Sequence, residues 1–330
     1  MTRFGTLAGG GDVDRLVISA GDLTAAILTF GAILQDVRLA GLGHSLTLGS
    51  DVLAAYEGPY NSFGSIIGPV ANRIRNATAQ LDGTTLHFEP NMIGGHTLHS
   101  GKAGLRKKLW QVVDHQPDRL TLRAEAEDSE GGFPGYRSWQ VTYVAEAPAT
   151  LTMTLTASTD APTLMNTVNH SYWNLDGSPT YHGHTLRLAA DRYLPVNEML
   201  LPTGQIASVG STAFDYRSPQ TLGPQTMVDH NFCLSDGRAP LRPVAWLTGT
   251  SGVTMEMSTT EPGLQVYDGN TIRSDGFPGH HGTPYGLQAG LALEAQFWPD
   301  APANPNFPSI RLDPGQPREQ VTRWAFGKSG

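Results

Sequence analysis

The chain has 330 residues and lacks the marks of several large protein classes. Its one cysteine, Cys233, excludes an internal disulfide bond and every metal motif that needs two or more cysteines. No run of 18 or more apolar residues occurs, so no transmembrane helix is expected. The first residues show neither the basic start nor the apolar centre of a signal peptide. We therefore expect a soluble, cytoplasmic protein that does not act at a membrane.

Charge is also scarce. Charged residues make up 16% of the chain, whereas about 25% is the average for soluble proteins. The formal net charge is −8, which disfavours a nucleic-acid partner because surfaces that bind nucleic acid are usually basic. Lysine occurs only four times, so the Glu- and Lys-rich faces of surface helices are missing.

What the chain has instead is glycine, proline and alternating apolar residues. The 38 glycines and 23 prolines are spread from end to end, without a linker or a repeat, which indicates one domain over residues 1–330. In the segment 150–157, Leu151, Met153 and Leu155 alternate with threonines, as in a half-buried strand. Residues 25–39 favour a hairpin, residues 51–56 a short helix, and 58–70 a surface loop. This pattern predicts an all-β sandwich or barrel of antiparallel strands.

Glu294 lies in the largely apolar segment 290–298. In a strand, Leu291 and Leu293 would face one side, with Glu294 and Gln296 on the other. If that second side is also buried, the pKa of the carboxyl rises toward the range of a general base. The alternative is a strand with one face in water, which is the commoner situation of a glutamate in a sheet.

His170 lies in the uncharged, aromatic segment Asn169–Leu175. In an extended chain, His170, Tyr172 and Asn174 share a face and combine a proton donor, an aromatic ring and an amide. Such a set suits a polyhydroxylated ligand. The alternative is a core histidine whose ring is satisfied by backbone groups.

Metal binding has little support in the sequence. Three close pairs of histidines occur, at positions 96 and 99, 182 and 184, and 280 and 281. None of these pairs has a third ligand at a recognised spacing. We therefore expect no metal and no cofactor.

Seven segments follow the order and spacing of motifs in the aldose 1-epimerase (galactose mutarotase) family, and the chain resembles this family over nearly its whole length. The segments are Phe30–Ala32, Gly68–Ile74, Thr97–Gly101, Asn169–Leu175, Asp229–Leu234, Glu261–Tyr267 and Leu293–Asp300. The resemblance implies a large antiparallel β-sandwich, the galactose mutarotase-like supersandwich, with very little helix and an open cleft. It also implies an isomerase that interconverts the α- and β-anomers of free aldoses such as D-galactose and D-glucose.

The resemblance also assigns roles to single residues. It implies that Glu294 is the general base, that His170 is the general acid and that His99 is a further catalytic histidine. The residues expected to hold the sugar hydroxyls are Asn72, Arg73, Tyr172, Asp229 and Gln265.

Three positions depart from the family pattern. Pro69, Ser100 and Ala295 stand where arginine, glycine and threonine are common, and these changes bear on pocket shape and sugar preference.

A phosphosugar 1-epimerase of the same fold is an alternative, for which Arg75 and the basic residues in 102–108 would form a basic rim. A carbohydrate-binding protein without activity is another, although binding alone does not need both Glu294 and His170. We expect a monomer or a homodimer.

Overall fold

The chain folds into antiparallel β-sheets in a computed structural model that describes residues 1–328. The strands are β1 (Thr2–Thr6), β2 (Asp12–Ala20), β3 (Leu23–Leu28), β4 (Leu34–Leu39), β5 (Ile66–Ile67), β6 (Arg73–Ile74), β7 (Thr78–Leu81), β8 (Thr84–His87), β9 (Thr97–Leu98), β10 (Gln111–His115), β11 (Arg119–Ala126), β12 (Arg137–Glu146), β13 (Thr150–Thr159), β14 (Thr163–Leu164), β15 (Val168–Asn169), β16 (Tyr172–Trp173), β17 (Thr185–Leu188), β18 (Arg192–Tyr193), β19 (Ala207–Ser208), β20 (Gln220–Thr221), β21 (Asp229–Cys233), β22 (Arg242–Thr248), β23 (Val253–Thr259), β24 (Gly263–Tyr267), β25 (Leu291–Gln296), β26 (Arg311–Leu312) and β27 (Arg318–Lys328).

Helix is rare. Within residues 1–328, α1 (Leu53–Glu57) is joined only by short 3₁₀ turns, at Arg75–Ala77, Gly101–Ala103, Leu105–Lys107, Glu130–Gly132 and Ala301–Ala303. None of these helices is long and apolar enough to span a bilayer. The expectation of an antiparallel all-β fold with very little helix is confirmed.

Three large sheets build the molecule. The nine-stranded sheet has the order β10-β11-β12-β13-β27-β23-β22-β17-β20, and the six-stranded sheet has the order β16-β25-β24-β21-β18-β19. The strands β1 to β4 form a four-stranded sheet in sequence order, and four strand pairs complete the fold: β5 with β15, β6 with β9, β7 with β8, and β14 with β26.

The main core lies between these sheets. The predicted alternation in β13 is confirmed, because Leu151, Met153 and Leu155 are at most 1% exposed while the intervening threonines are half-buried. Strands β2 and β3 pack across β11, β12 and β13, and the buried side chains of the three large sheets form one continuous cluster.

The hairpin of residues 25–39 is also confirmed, since β3 pairs with β4. One local prediction is wrong: much of the segment 58–70 is buried rather than on the surface. It contains β5, and the rings of Tyr60 and Phe63 are at most 4% exposed. Both rings join a second apolar cluster with α1, so aromatic packing holds this glycine-rich stretch inside the molecule.

Candidate active site

A cleft of about 740 Å³ brings together most of the predicted site residues. Those that line it are Asn72, Arg73, His99, His170, Tyr172, Asp229 and Glu294. Gln265 is the exception, because it lies behind Asp229 and is 3% exposed. Residues more than 200 positions apart in the chain therefore meet at one site.

Glu294 lies on β25, between β24 and the edge strand β16 of the six-stranded sheet. Its residue is 2% exposed, so the alternative of a water-facing strand surface is wrong. All six residues of β25 are buried, which shows that both faces of this strand are covered. Within residues 1–328, Oε2 of Glu294 has no hydrogen-bond partner. Burial raises the pKa of Glu294 well above its ordinary value, the charge of Asp229 raises it further, and Arg73 partly opposes both effects.

His170 directly follows β15 and is fixed through its backbone. Its N–H donates to the carbonyl of Ser65 at 3.0 Å, and its carbonyl accepts from the N–H of Gly64 at 2.9 Å. Gly64 has a φ of +67°, and a Cβ there would lie 2.2 Å from the carbonyl oxygen of Leu34, so only glycine fits. This arrangement places Nε2 of His170 3.4 Å from Oε1 of Glu294.

The His170 ring is buried with the residue at 4% exposure. Burial, opposed by a backbone hydrogen bond and assisted by the nearby charge of Arg106, lowers the pKa of His170 to about 4. At neutral pH the site therefore holds a neutral imidazole beside a carboxyl group whose pKa is raised. A pair of this kind can exchange protons with a ligand in either direction.

His99 and Asn72 hold each other in an unusual backbone conformation. Both residues have positive φ, 53° and 60°, which is costly for residues other than glycine and is often found at functional sites. The N–H of His99 donates to the carbonyl of Asn72 at 2.9 Å, and the N–H of Asn72 donates to Nδ1 of His99 at 3.1 Å. Because Nδ1 accepts, the ring proton of neutral His99 lies on Nε2. Burial, together with His170, Arg106 and Arg73, lowers the pKa of His99 well below its ordinary value.

A charged and polar network forms another part of the cleft. Nη2 of Arg73 lies 3.5 Å from Oδ2 of Asp229, and Nε2 of Gln265 donates to Oδ1 of Asp229 at 2.5 Å. Oδ1 of Asn72 accepts from the Arg73 N–H at 2.9 Å and from Nη1 at 3.3 Å. Asp229 is therefore oriented from both sides, and Gln265 acts through it.

Aromatic rings border the cleft beside His170. The ring of Tyr172 lies 5.0 Å from that of His170, 4.7 Å from that of Phe63 and 6.1 Å from that of Tyr267, measured between centroids. Phe63 and Tyr267 were not identified from the sequence. Tyr267 follows the Gln265 motif at an alternate strand position, which is a usable signal, whereas Phe63 lies in a segment with no regular pattern.

One expectation about a shared face is wrong. Asn174 does not join His170 and Tyr172, because its amide donates to the carbonyls of Ser178 and Ala289 and supports a turn. Arg75, considered above for a basic rim, does not line the cleft. Its Nε contacts Asp300 at 3.1 Å and its Nη2 donates to the carbonyl of Pro202.

Ser100, one of the three departures from the family pattern, has a structural role. Its hydroxyl accepts from the Val70 N–H and donates to the Val70 carbonyl, both at 2.9 Å. It thereby links the turn that carries His99 to the segment that carries Asn72 and Arg73.

Metal-ligating side chains are not grouped within residues 1–328: no three His, Cys, Asp or Glu side chains lie where they could share an ion. Like His99, other members of the histidine pairs bond to backbone groups. Nδ1 of His96 accepts from the Asn76 N–H, and Nε2 of His184 accepts from the Leu175 N–H.

Comparison with known proteins gives one consistent result. A sequence model described as aldose 1-epimerase matches residues 14–325. The chain is similar to galactose mutarotase of Rattus norvegicus, with 36% identity over 98% of this chain and 97% of that protein. It is 31% identical to aldose 1-epimerase of Escherichia coli K12 over 92% of both chains.

Solved structures agree in fold. A GalM/aldose epimerase homologue from C. elegans superposes with a TM-score of 0.89 at 31% identity, over 96% of this chain and all of that chain. Galactose 1-epimerase from Lactobacillus acidophilus gives a TM-score of 0.84 at 25% identity, over 97% and 96% of the two chains. The predicted mutarotase-like supersandwich is confirmed by these neighbours.

Proposed function

The chain belongs to the aldose 1-epimerase family and is an isomerase of free sugars, and we propose that Glu294 and His170 are its general base and general acid. The observation that carries this assignment is the contact of 3.4 Å between Oε1 of Glu294 and Nε2 of His170 inside the cleft. Both groups are almost completely buried, so neither is a surface ion pair.

The reaction needs one base and one acid. Glu294 takes the proton of the C1 hydroxyl while the His170 imidazolium gives a proton to the ring oxygen, and the C1–O5 bond breaks. The product is the open-chain aldehyde, with a neutral His170 and a protonated Glu294. Rotation about the C1–C2 bond presents the other face of the carbonyl to O5. Closure returns both protons, so the enzyme ends in its starting state and nothing is consumed.

Two observations separate the roles of the histidines. Nδ1 of His99 accepts a hydrogen bond from the Asn72 N–H. A second proton on this ring would have to bind Nδ1, where it would point at that N–H group. Nδ1 of His170 has no such donor against it within residues 1–328. His170 can therefore carry the positive charge that the acid needs, while His99 serves as a neutral hydrogen-bond donor to the sugar from Nε2.

The sugar hydroxyls are held by the polar network. Asn72, Arg73 and Asp229 offer donors and acceptors within one cleft, and Tyr172 offers an apolar ring face for the C–H surface of a pyranose. Gln265 does not line the cleft, so we assign it to the orientation of Asp229 rather than to direct contact.

The substrates that fit best are free hexoses such as D-galactose and D-glucose. The phosphosugar alternative needs a basic rim, and three of its cations are already neutralised. Arg75 contacts Asp300, Lys102 contacts Glu89 and Lys108 contacts Glu130, each at 3.1 Å or less. A protein that only binds sugar would have no use for a buried, desolvated acid–base pair, because burial of both groups is costly.

We also propose that residues 1–330 act as one domain, in the cytoplasm, as a monomer or a homodimer. The family match over 14–325 and the continuous core support a single unit. The single cysteine, which is buried, is compatible with a reducing compartment.

Polarimetry tests the proposal directly. Fresh α-D-galactose is added with and without the protein, and the rate of change in optical rotation is compared. We expect acceleration above the spontaneous rate that scales with protein concentration. Sugar binding without acceleration would leave the binding-protein alternative and refute the acid–base assignment.

A further inference from the structure

Arg106 is a cation in the cleft that the described residues leave unneutralised. It lines the cleft, and its side chain is mostly withdrawn from solvent. Within residues 1–328, Nε of Arg106 is buried without a hydrogen-bond partner, and no carboxylate lies within 4.0 Å of the guanidinium. A partly desolvated charge without a counter-ion costs free energy. We therefore expect the counter-ion of Arg106 to be part of a ligand.

The other cations near the cleft do not share this property. Arg73 faces Asp229 across 3.5 Å, and Arg75 contacts Asp300. Arg273 also lines the cleft without an ion pair inside the described part of the chain, but it is exposed and therefore hydrated by water. Arg106, which is half-buried, alone among these combines a buried Nε that has no hydrogen-bond partner with the absence of an ion pair in the described part of the chain.

The fold places Arg106 on the side of the acid. It belongs to the turn Leu105–Lys107, which packs against β5, and the Leu105 N–H donates to the carbonyl of Gly68 at 2.9 Å. Strand β5 pairs with β15, and β15 ends immediately before His170. Glu294 and Asp229 instead project from the six-stranded sheet. Charge effects agree, because Arg106 lowers the pKa of His99 and His170.

This position corresponds to one end of the sugar ring. In a pyranose, the ring oxygen is bonded to C1 and to C5. In the proposed mechanism Glu294 contacts the C1 hydroxyl and His170 contacts the ring oxygen. The part of the ring beyond His170 and away from Glu294 then carries C5 and its substituent C6. Arg106 then lies on the C6 side of the ring.

We propose that Arg106 forms a binding site for a carboxylate on C6 of the sugar, so that hexuronates are substrates of this enzyme. This proposal rests on the proposed function, because it takes the ring orientation from the roles of Glu294 and His170. A guanidinium can bind a carboxylate through two parallel hydrogen bonds, which also satisfy buried N–H groups.

The charge balance favours a carboxylate over a phosphate. One unmatched guanidinium neutralises the single charge of a carboxylate. A phosphate monoester carries nearly two charges at neutral pH, and Arg106 would neutralise only about one of them. The other cleft charges are balanced in number, because Asp229 faces Arg73 and the exposed Arg273 is matched by Asp275. The occupant to which the structure points is therefore a hexuronate and not a hexose 6-phosphate.

The first experiment uses the unmodified protein. The kcat/KM values for anomerisation of D-galacturonate, its neutral amide and D-galactose are measured at fixed ionic strength, with D-glucose 6-phosphate as a further substrate. We expect D-galacturonate to exceed its amide at least tenfold, and this advantage should shrink as salt increases.

The second experiment removes the cation. Arg106→Gln should lower kcat/KM for D-galacturonate at least tenfold more than for D-galactose, and Arg106→Lys should retain part of the difference. Lys107→Gln is the matched control, because it removes the same charge from an exposed neighbour in the same turn and should leave the substrate ratio unchanged.

The outcomes separate this inference from the mechanism. Equal values for D-galacturonate and its amide, or an unchanged substrate ratio in Arg106→Gln, would refute the carboxylate site while D-galactose turnover still supports the proposed function. A higher value for D-glucose 6-phosphate than for D-galacturonate would also refute it, in favour of a phosphate. Absence of turnover with every sugar would refute the function itself.

Discussion

Glu294→Gln should abolish turnover while preserving the fold. The substitution keeps the size of the side chain but removes its capacity to take a proton at neutral pH. A sole general base contributes about 10²–10⁴-fold to the rate, so kcat should fall by at least 10²-fold. Polarimetry with fresh α-D-galactose, corrected for the spontaneous rate, measures this loss.

The structure also predicts the effect on stability. Folding raises the pKa of Glu294. Below the pKa that this carboxyl has in the unfolded chain, it is protonated in both states and costs no stability. Stability is lost as the pH rises through the pKa of the folded state. Each unit of that rise costs about 1.4 kcal/mol at high pH. With an unfolding entropy of about 2.1 cal/mol/K per residue, 1.4 kcal/mol corresponds to roughly 2 °C in Tm for this chain. Glu294→Gln should therefore melt at the same or a higher temperature than the unmodified protein at pH 8.

Glu261→Gln is the matched control. Glu261 is also 2% exposed, but it lies outside the cleft and pairs with Nε of Arg238 at 3.1 Å. Its replacement should leave kcat unchanged, because Glu261 does not line the cleft. If Glu294→Gln kept more than a tenth of the activity, or if both variants lost activity equally, the assignment of Glu294 as the base would be wrong.

The remaining predictions concern the acid, the pH profile, metals and the substrate. His170→Asn should lower kcat by about 10²–10⁴-fold with a smaller effect on KM, because the ring oxygen becomes basic only as its bond to C1 breaks; an unchanged kcat with a raised KM would move His170 to a binding role. A plot of kcat/KM against pH should show a plateau with two falling limbs. The acidic limb lies near pH 4, where the Glu294–His170 pair gains a second proton, and the basic limb lies at the raised pKa of Glu294, where the pair loses its only proton. A single limb at the ordinary pKa of histidine would contradict this prediction. Dialysis against EDTA should leave full activity, and loss that Zn²⁺ or Mg²⁺ restores would contradict the acid–base mechanism. D-glucose 6-phosphate should have a kcat/KM at least tenfold below that of D-glucose at equal ionic strength, because Arg75, Lys102 and Lys108 are paired and the single guanidinium of Arg106 cannot neutralise a phosphate that carries nearly two charges; the reverse order would identify a phosphosugar epimerase.

The sequence predicted the sheets well because their signal is local. Alternation of apolar residues in β11, β12, β13 and β23 reflects a face that packs on the core and a face that does not, and this periodicity is written into single strands. The segment 58–70 was misjudged for the same reason. Its burial depends on rings that pack against α1, which no local pattern reports.

The site required more than periodicity. The motif order, and not composition, singled out seven residues that line one cleft: Asn72, Arg73, His99, His170, Tyr172, Asp229 and Glu294. The direction of a polar side chain within a motif was less predictable. Gln265, Arg75 and Asn174 each turn toward a specific partner from a distant segment. Arg106 was included among the basic residues in 102–108 but not singled out, because its lack of a counter-ion is visible only in the packed structure.

Burial shifts both Glu294 and His170, the proposed base and acid, in the direction that ring opening needs. A carboxylate with a raised pKa is a stronger base toward the C1 hydroxyl, and an imidazolium with a lowered pKa is a stronger acid toward the ring oxygen. The same shifts place the single proton of the empty pair on Glu294, so the reactive arrangement, with the proton on His170, is the less populated one. Ring opening is the demanding half of the cycle, because the open-chain aldehyde is less stable than either anomer. The cleft thus makes each group more reactive but lowers the population of the reactive protonation state. Such an arrangement is suited to a reaction whose two end states have nearly equal energy.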